Sequence, residues 1–243
     1  MYAENTYPYA PESVADSPAT ARARFLRNTY LHLGAAILLF VGIEAVLISS
    51  GAGLSIVNTM FASKVAWIGL MIAFIAGGYA AQYMARSNMP VPVQYLGLIG
   101  YVVLEAAIFL PILVISETFP EYAGKQLALQ AGICTLLVFG ALTFTVVATG
   151  ADFSFLRPFL VVASFAALGL IIASVFLGFS LGLVFTVIML VLAAAYILYD
   201  TSNVMHHYGP GQHVGAALAL FASVALMFYY MIRLFMSLSN SRN

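Results

Sequence analysis

Four ionisable side chains stand inside long apolar runs of this chain: Glu44, Glu105, Asp200 and Arg233. A charged Asp, Lys or Arg at the centre of a membrane-spanning helix costs at least ~2.5–3.5 kcal/mol, so such groups face a bundle interior, find a partner or sit near an end. Acids so placed can share a proton or line a cation path. At 1.5 Å per residue, Glu44 and Glu105 lie roughly 18–21 Å from the same side. They either form one shared site or hydrogen-bond separately to their own neighbours. Asp200 closes the run Tyr196-Ile197-Leu198-Tyr199 and precedes Thr201-Ser202-Asn203, ~9 Å before the His206 loop. Arg86 ends an earlier apolar run on the same side. Depth and sign match for an Arg86–Asp200 pair; the alternative is a solvated helix-end acid. Arg233, roughly 28 Å along the last run, reaches the far interface, where an arginine can snorkel.

Other reactive residues give little chemistry. His206, His207 and His213 share one loop, but no acid or His-Glu-x-x-His motif completes a zinc set. They read as interfacial polar residues with an ordinary pKa near ~6.5. Cys134 is the only cysteine, and its apolar surroundings leave the thiol inert. An aspartyl intramembrane protease needs two catalytic aspartates sharing a proton, and Asp152 falls in a loop. No lysine in the last run can hold retinal. The chain reads as non-enzymatic, without a cofactor, and no metal-ligand set is assigned.

The elements that must position these residues follow from composition. Of 243 residues, 63% are hydrophobic and 7% charged, with nine basic and nine acidic side chains; mean hydropathy is +1.01. A soluble domain carries ~25% charged residues, so a water-soluble globule is excluded. Zero net charge excludes a nucleic-acid binder, and one cysteine excludes a disulfide scaffold. A spanning helix needs roughly 20 apolar residues. Seven stretches qualify: Tyr30–Ser50, Val65–Ala85, Val93–Ser116, Leu127–Ala148, Phe159–Gly178, Leu181–Asp200 and Val214–Leu238. The expected fold class is an all-α membrane protein with seven transmembrane helices over residues 22–243. Residues 1–21, with Pro8, Pro11 and Pro18 and no apolar core, read as a disordered tail rather than a secretory signal. Gly178–Gly182 is short enough to force a tight hairpin. Pro111 frees a carbonyl in the third run and is expected to kink it.

Arg22, Arg24 and Arg27 before the first span place the N-terminus in the cytoplasm. Arg86 and Arg157 then also fall inside, and Lys64, Lys125, Arg233 and Arg242 outside. Seven spans put the C-terminus on the opposite face; a re-entrant last segment would put both ends inside.

Four segments carry a family resemblance: Phe25-Leu26-Arg27-Asn28-Thr29-Tyr30, Asp152-Phe153-Ser154-Phe155-Leu156, Tyr196 to Asn203, and Leu218-Ala219-Leu220-Phe221-Ala222-Ser223. Together they resemble the Bax inhibitor-1 (TMBIM) family, its bacterial branch in particular, over about residues 22–238. The resemblance implies six helices around the last one; the absence of a targeting sequence suits a bacterial inner membrane. Some members are pH-sensitive calcium leak channels. In them an aspartate of the sixth helix pairs with one of the seventh, and an arginine of the second helix latches onto the pair. Asp200 and Arg86 match the first aspartate and the arginine. Ser223 stands where the second aspartate would be. A bacterial subgroup with this serine resembles inhibitors of a membrane-bound AAA protease.

Two functions follow as expectations. One is a calcium leak closed at its cytoplasmic end by Arg86 and Asp200, with Ser223, Glu44 and Glu105 along the ion path. Calcium prefers several oxygen ligands, so the binding expected is of low affinity, and protons are the other candidate ion. The alternative is a non-catalytic modulator of a membrane-bound AAA protease or a stress response, in which Gly77-Gly78 and Ala193-Ala194-Ala195 permit close helix approach. The expected partners are the lipid bilayer, calcium or protons, and possible contact with a membrane protease, with no nucleic acid.

Overall fold

The computed structural model describes residues 13–85 and 89–240, apart from the side chains of residues 64, 66 and 67. Among them the chain is all-helical: α1 Ala19–Ser49, α2 Ala52–Phe61, α3 Lys64–Met84, α4 Val91–Thr118, α5 Leu127–Thr149, α6 Arg157–Leu177, α7 Leu183–His206 and α8 His213–Asn240. Six of these, α1 and α4 to α8, are long and apolar enough to cross a membrane. The expected count of seven is not reached, because the apolar stretch Ile68–Met84 of α3 falls in the shorter class with α2.

Helix α8 is the hub. It packs against α1, α4, α5 and α7, while α6 leans on α7 from outside and α3 leans on α4. In the most apolar part of α8, 67% of residues are buried, against 11% for the span containing α6. Lipid covers what protein does not, so α6 can stay apolar all round and still lie at the rim. An aromatic cluster joins the inner helices: Phe40 of α1 meets Phe109 of α4 edge-on at 5.0 Å, and Phe109 stacks on Phe228 of α8 at 5.4 Å.

Close approach needs small residues. A Cβ on Gly97 of α4 would stand 2.7 Å from the Ala81 carbonyl oxygen and 2.9 Å from Met84 Cβ. Glycine alone lets α3 and α4 meet there. Gly178, with φ of +73°, ends α6 in the left-handed conformation and starts the short connection expected before α7. Pro111 lies inside α4, which runs unbroken from Val91 to Thr118.

Four boundaries differ from the sequence expectation, one being α7, which runs to His206, six residues past Asp200. Helix α1 starts at Ala19, eleven residues before Tyr30, so Arg22, Arg24 and Arg27 ride its first turns. At 31 residues and 1.5 Å each it is about 46 Å long, well beyond the ~30 Å hydrocarbon thickness. Residues 1–12 lie outside the described residues, but the expected tail does not extend to residue 21. Val14 is fully buried and its N–H donates to the Tyr208 carbonyl at 2.8 Å. Arg22 donates to the Val14 and Ala15 carbonyls and ties this strap to α1. The fourth is α2, which occupies part of what read as a connection. Its Gly53 abuts Leu110 and Val114 of α4.

Candidate functional site

The loop of residues 207–212 folds α7 and α8 into an antiparallel hairpin at the end where α1 begins. On α7, Ile197, Thr201 and Val204 are fully buried. Asp200 sits beside them on the same turn, half-buried. On α8, Leu220, Ser223, Val224 and Met227 form the facing stripe. The Ser223 hydroxyl donates to Asp200 Oδ2. It has one proton, so the Ala219 carbonyl, 3.2 Å away, is only an alternative acceptor. The expected meeting of positions 200 and 223 is therefore present as a carboxylate–hydroxyl contact.

Arg86 lies outside the described residues. The described chain leads up to it beside α8: the Ala85 carbonyl oxygen is 3.0 Å from where a Cβ on Gly215 would stand. Among the described residues no Lys or Arg forms an ion pair with Asp200. Its electrostatic neighbours are tyrosines: Tyr101 of α4, Tyr196 of α7 and Tyr208 of the loop. Burial pushes the Tyr208 phenol above its ordinary range, and Asp200 and Tyr199 add to the shift.

Glu44 and Glu105 are both buried, and no hydrogen bond or electrostatic contact joins them. His32 of α1 bonds Tyr95 of α4 at 2.6 Å, which levels the two helices. Glu44 and Glu105 then stand about 18 and 15 Å further along. Similar depth is retained; direction separates them. Glu105 is hydrogen-bonded to Tyr101, one turn back on α4. Both Glu44 carboxyl oxygens lack a hydrogen-bond partner among the described residues. Tyr101 thus touches Glu105 and feels the charge of Asp200 at longer range, and its ring packs 6.2 Å from Phe221 of α8. The i, i+4 spacing of Tyr101 and Glu105 was the available sequence signal.

The loop before α6 is pinned to α7. Asp152 accepts from the Ser154 N–H at 2.8 Å and the Ser202 hydroxyl at 3.2 Å, and lies 3.8 Å from His207 Nε2. The Phe153 N–H donates to Ser202 Oγ at 2.8 Å. The Ser154 backbone holds the Asp152 carboxyl below the usual carboxylate range, with Ser202 and His207 adding to it. The three loop histidines are dispersed: His206 bonds the Ser202 carbonyl, His207 faces Asp152, and His213 stacks near His32 at 5.0 Å. No cluster of three or more His, Cys, Asp or Glu side chains forms among the described residues. Arg233 donates to the Leu181 carbonyl at 2.8 Å, at the opposite end of the bundle.

A bundle of apolar helices around a buried central one, with a carboxylate held between its last two helices, defines an integral membrane protein without an assembled catalytic or metal cluster among the described residues. Residues 22–241 match the family model described as Inhibitor of apoptosis-promoting Bax1 (Bax1-I), and the chain belongs to that Bax inhibitor-1 family. It is 31% identical over 121 residues to Protein LIFEGUARD 4 of Arabidopsis thaliana, covering 47% of this chain and 48% of that protein. It is 35% identical over 123 residues to a BI1-like protein of the same plant, covering 45% and 44%. An uncharacterized protein of Pseudomonas aeruginosa is 31% identical over 113 residues, covering 46% and 50%. The chain spans about half the length of the curated relatives it matches.

Proposed function

We propose that this protein is a calcium leak pathway with its narrowest polar point at Asp200. The observation that carries the reading is the Asp200–Ser223 contact between α7 and the central helix. An acid there has protein on both sides and supplies a cation-attracting oxygen in a medium that otherwise offers few. Beyond it, Tyr101 and Glu105 continue the polar line toward the bundle centre. Arg86 acts as the latch on Asp200. The end bearing Arg22, Arg24, Arg27 and Arg157 faces the cytoplasm, since basic residues accumulate there. Helix α3 supplies a seventh crossing in this reading, returning the chain from α2 to the side where Ala85 meets α8.

The test is calcium flux from liposomes at several pH values. Arg86→Ala should raise flux, and Asp200→Asn should abolish it. Ser223→Asp should steepen the pH dependence, because two adjacent carboxylates share a proton and a carboxylate–serine pair does not. Wild-type flux equal to that of empty vesicles refutes the pathway. A pH profile indifferent to Ser223→Asp refutes the role of that position. The second reading, a non-catalytic modulator of a membrane-bound AAA protease, is favoured by Ser223 itself, which leaves Asp200 without a second acid. Co-purification with the protease, and altered substrate levels on deletion, would support it.

A further inference from the structure

A cleft of about 510 Å³ opens at the arginine-rich end of the bundle, between the start of α6, the last turns of α7 and the loop to α8. Ser154, Arg157, Tyr199, Asn203, His207, Tyr208 and Gln212 line it, and every one has a polar side chain. Among them Arg157 is the permanent charge. Its guanidinium is exposed and makes no hydrogen bond or ion pair with any described residue. The side chains of Tyr199, Asn203 and Tyr208 likewise have no hydrogen-bond partner among the described residues. Two acids lie near. Asp152 turns Oδ1 to Ser154 and Ser202 and Oδ2 to His207, and Asp200 acts on Tyr208 from the bundle side and is bonded to Ser223. Neither forms an ion pair with Arg157 among the described residues.

The outer flank of this cleft is of the opposite character. Val161, one turn on from Arg157, is 47% exposed, and Phe165, a further turn on, is 67% exposed, so an exposed apolar strip runs down α6 on the Arg157 side. Arg157 is the first residue of α6 and lies at the start of a membrane span. A polar, donor-rich cleft carrying one free cation therefore joins directly to a strip made for acyl chains. An oxyanion with an apolar tail satisfies both halves, and basic pockets at this depth suit anionic headgroups.

We infer that this cleft seats the phosphate of one anionic membrane phospholipid, with Arg157 as its ion partner, Tyr199 and Asn203 as hydrogen-bond donors, and the acyl chains along Val161 and Phe165. The inference is independent of ion conduction, and its readout is binding. Tyr199 and Asn203 flank Asp200 in sequence, so an occupied cleft would brace the turn that carries it.

The experiment uses the full chain in nanodiscs of phosphatidylcholine with increasing phosphatidylglycerol. Bound phosphatidylglycerol is counted by native mass spectrometry. One retained molecule is expected for the wild type. Arg157→Gln should weaken retention about tenfold, the size of one lost charge-assisted hydrogen bond. Asn203→Ala should weaken it less, and Arg157→Lys should keep part of it. Arg24→Gln removes an exposed arginine on the same end of the bundle, outside the cleft, and should change nothing. Equal losses for Arg24→Gln and Arg157→Gln would mean a diffuse surface charge and overturn the site. So would retention unaffected by either cleft variant. A third arm adds inorganic phosphate at millimolar concentration. Displacement of the lipid by phosphate alone would assign the cleft to a soluble phosphate and overturn the lipid assignment.

Discussion

Replacing Gly97 by alanine tests the packing of α3 on α4, which carries Ala85 to α8 at Gly215. The new methyl would stand 2.7 Å from the Ala81 oxygen, 2.9 Å from Met84 Cβ and 3.2 Å from the Ala85 nitrogen. The first contact is about 0.6 Å shorter than the ~3.3 Å of a close C–H···O approach. Two of the three atoms belong to the backbone of α3 and its end, so no rotamer change relieves the clash. Helix α3 must retreat at its last turn. Overpacking of this kind costs about 1–3 kcal/mol, against a helix-propensity gain of ~0.5–1 kcal/mol from removing a glycine. Gly100, three residues on, has nothing within 4 Å of its would-be Cβ. Gly100→Ala therefore collects the gain without the clash. The two variants should differ by about 1–3 kcal/mol, or roughly 2–12 °C in Tm for a chain of this size. The assay is thermal unfolding of both purified variants in one detergent. Gly97→Ala melting level with or above Gly100→Ala would refute the close contact and the argument built on it.

Two further outcomes follow from the same end of the bundle. Val14→Asp buries a charge where a fully covered valine sat, so the strap should detach from Tyr208; tryptic cleavage at Arg22 and Arg24 should accelerate severalfold while the core fragment stays intact, and unchanged cleavage would contradict the docking. For Asp152 the folded carboxyl titrates below its usual 3.8, so its stabilisation is present above that value and is lost as pH falls through the lower folded value. Amide exchange at Phe153 should rise on acidification through that window, and Asp152→Asn should flatten the pH dependence.

What the sequence by itself determined is the set of apolar runs and the approximate depth of each acid. Lipid cannot hydrogen-bond a backbone, so every crossing segment must be a long apolar helix and shows itself in composition. The Asp200–Ser223 meeting was legible only through the family resemblance, which sets the position of Ser223 opposite that of Asp200; spacing alone did not pair them. Helix ends were less legible. The first turns of α1 carry Arg22, Arg24 and Arg27, polar positions outside the hydrocarbon with no apolar signal to announce them. Helix α2 has only ten residues, below the length that marks a span. Partnership between distant helices was decided by tertiary structure alone. Glu44 and Glu105 stand at similar depths, but depth is a coordinate along one axis, and rotation about each helix is set by packing. That rotation aims Glu105 at Tyr101 and leaves Glu44 without a hydrogen-bond partner among the described residues.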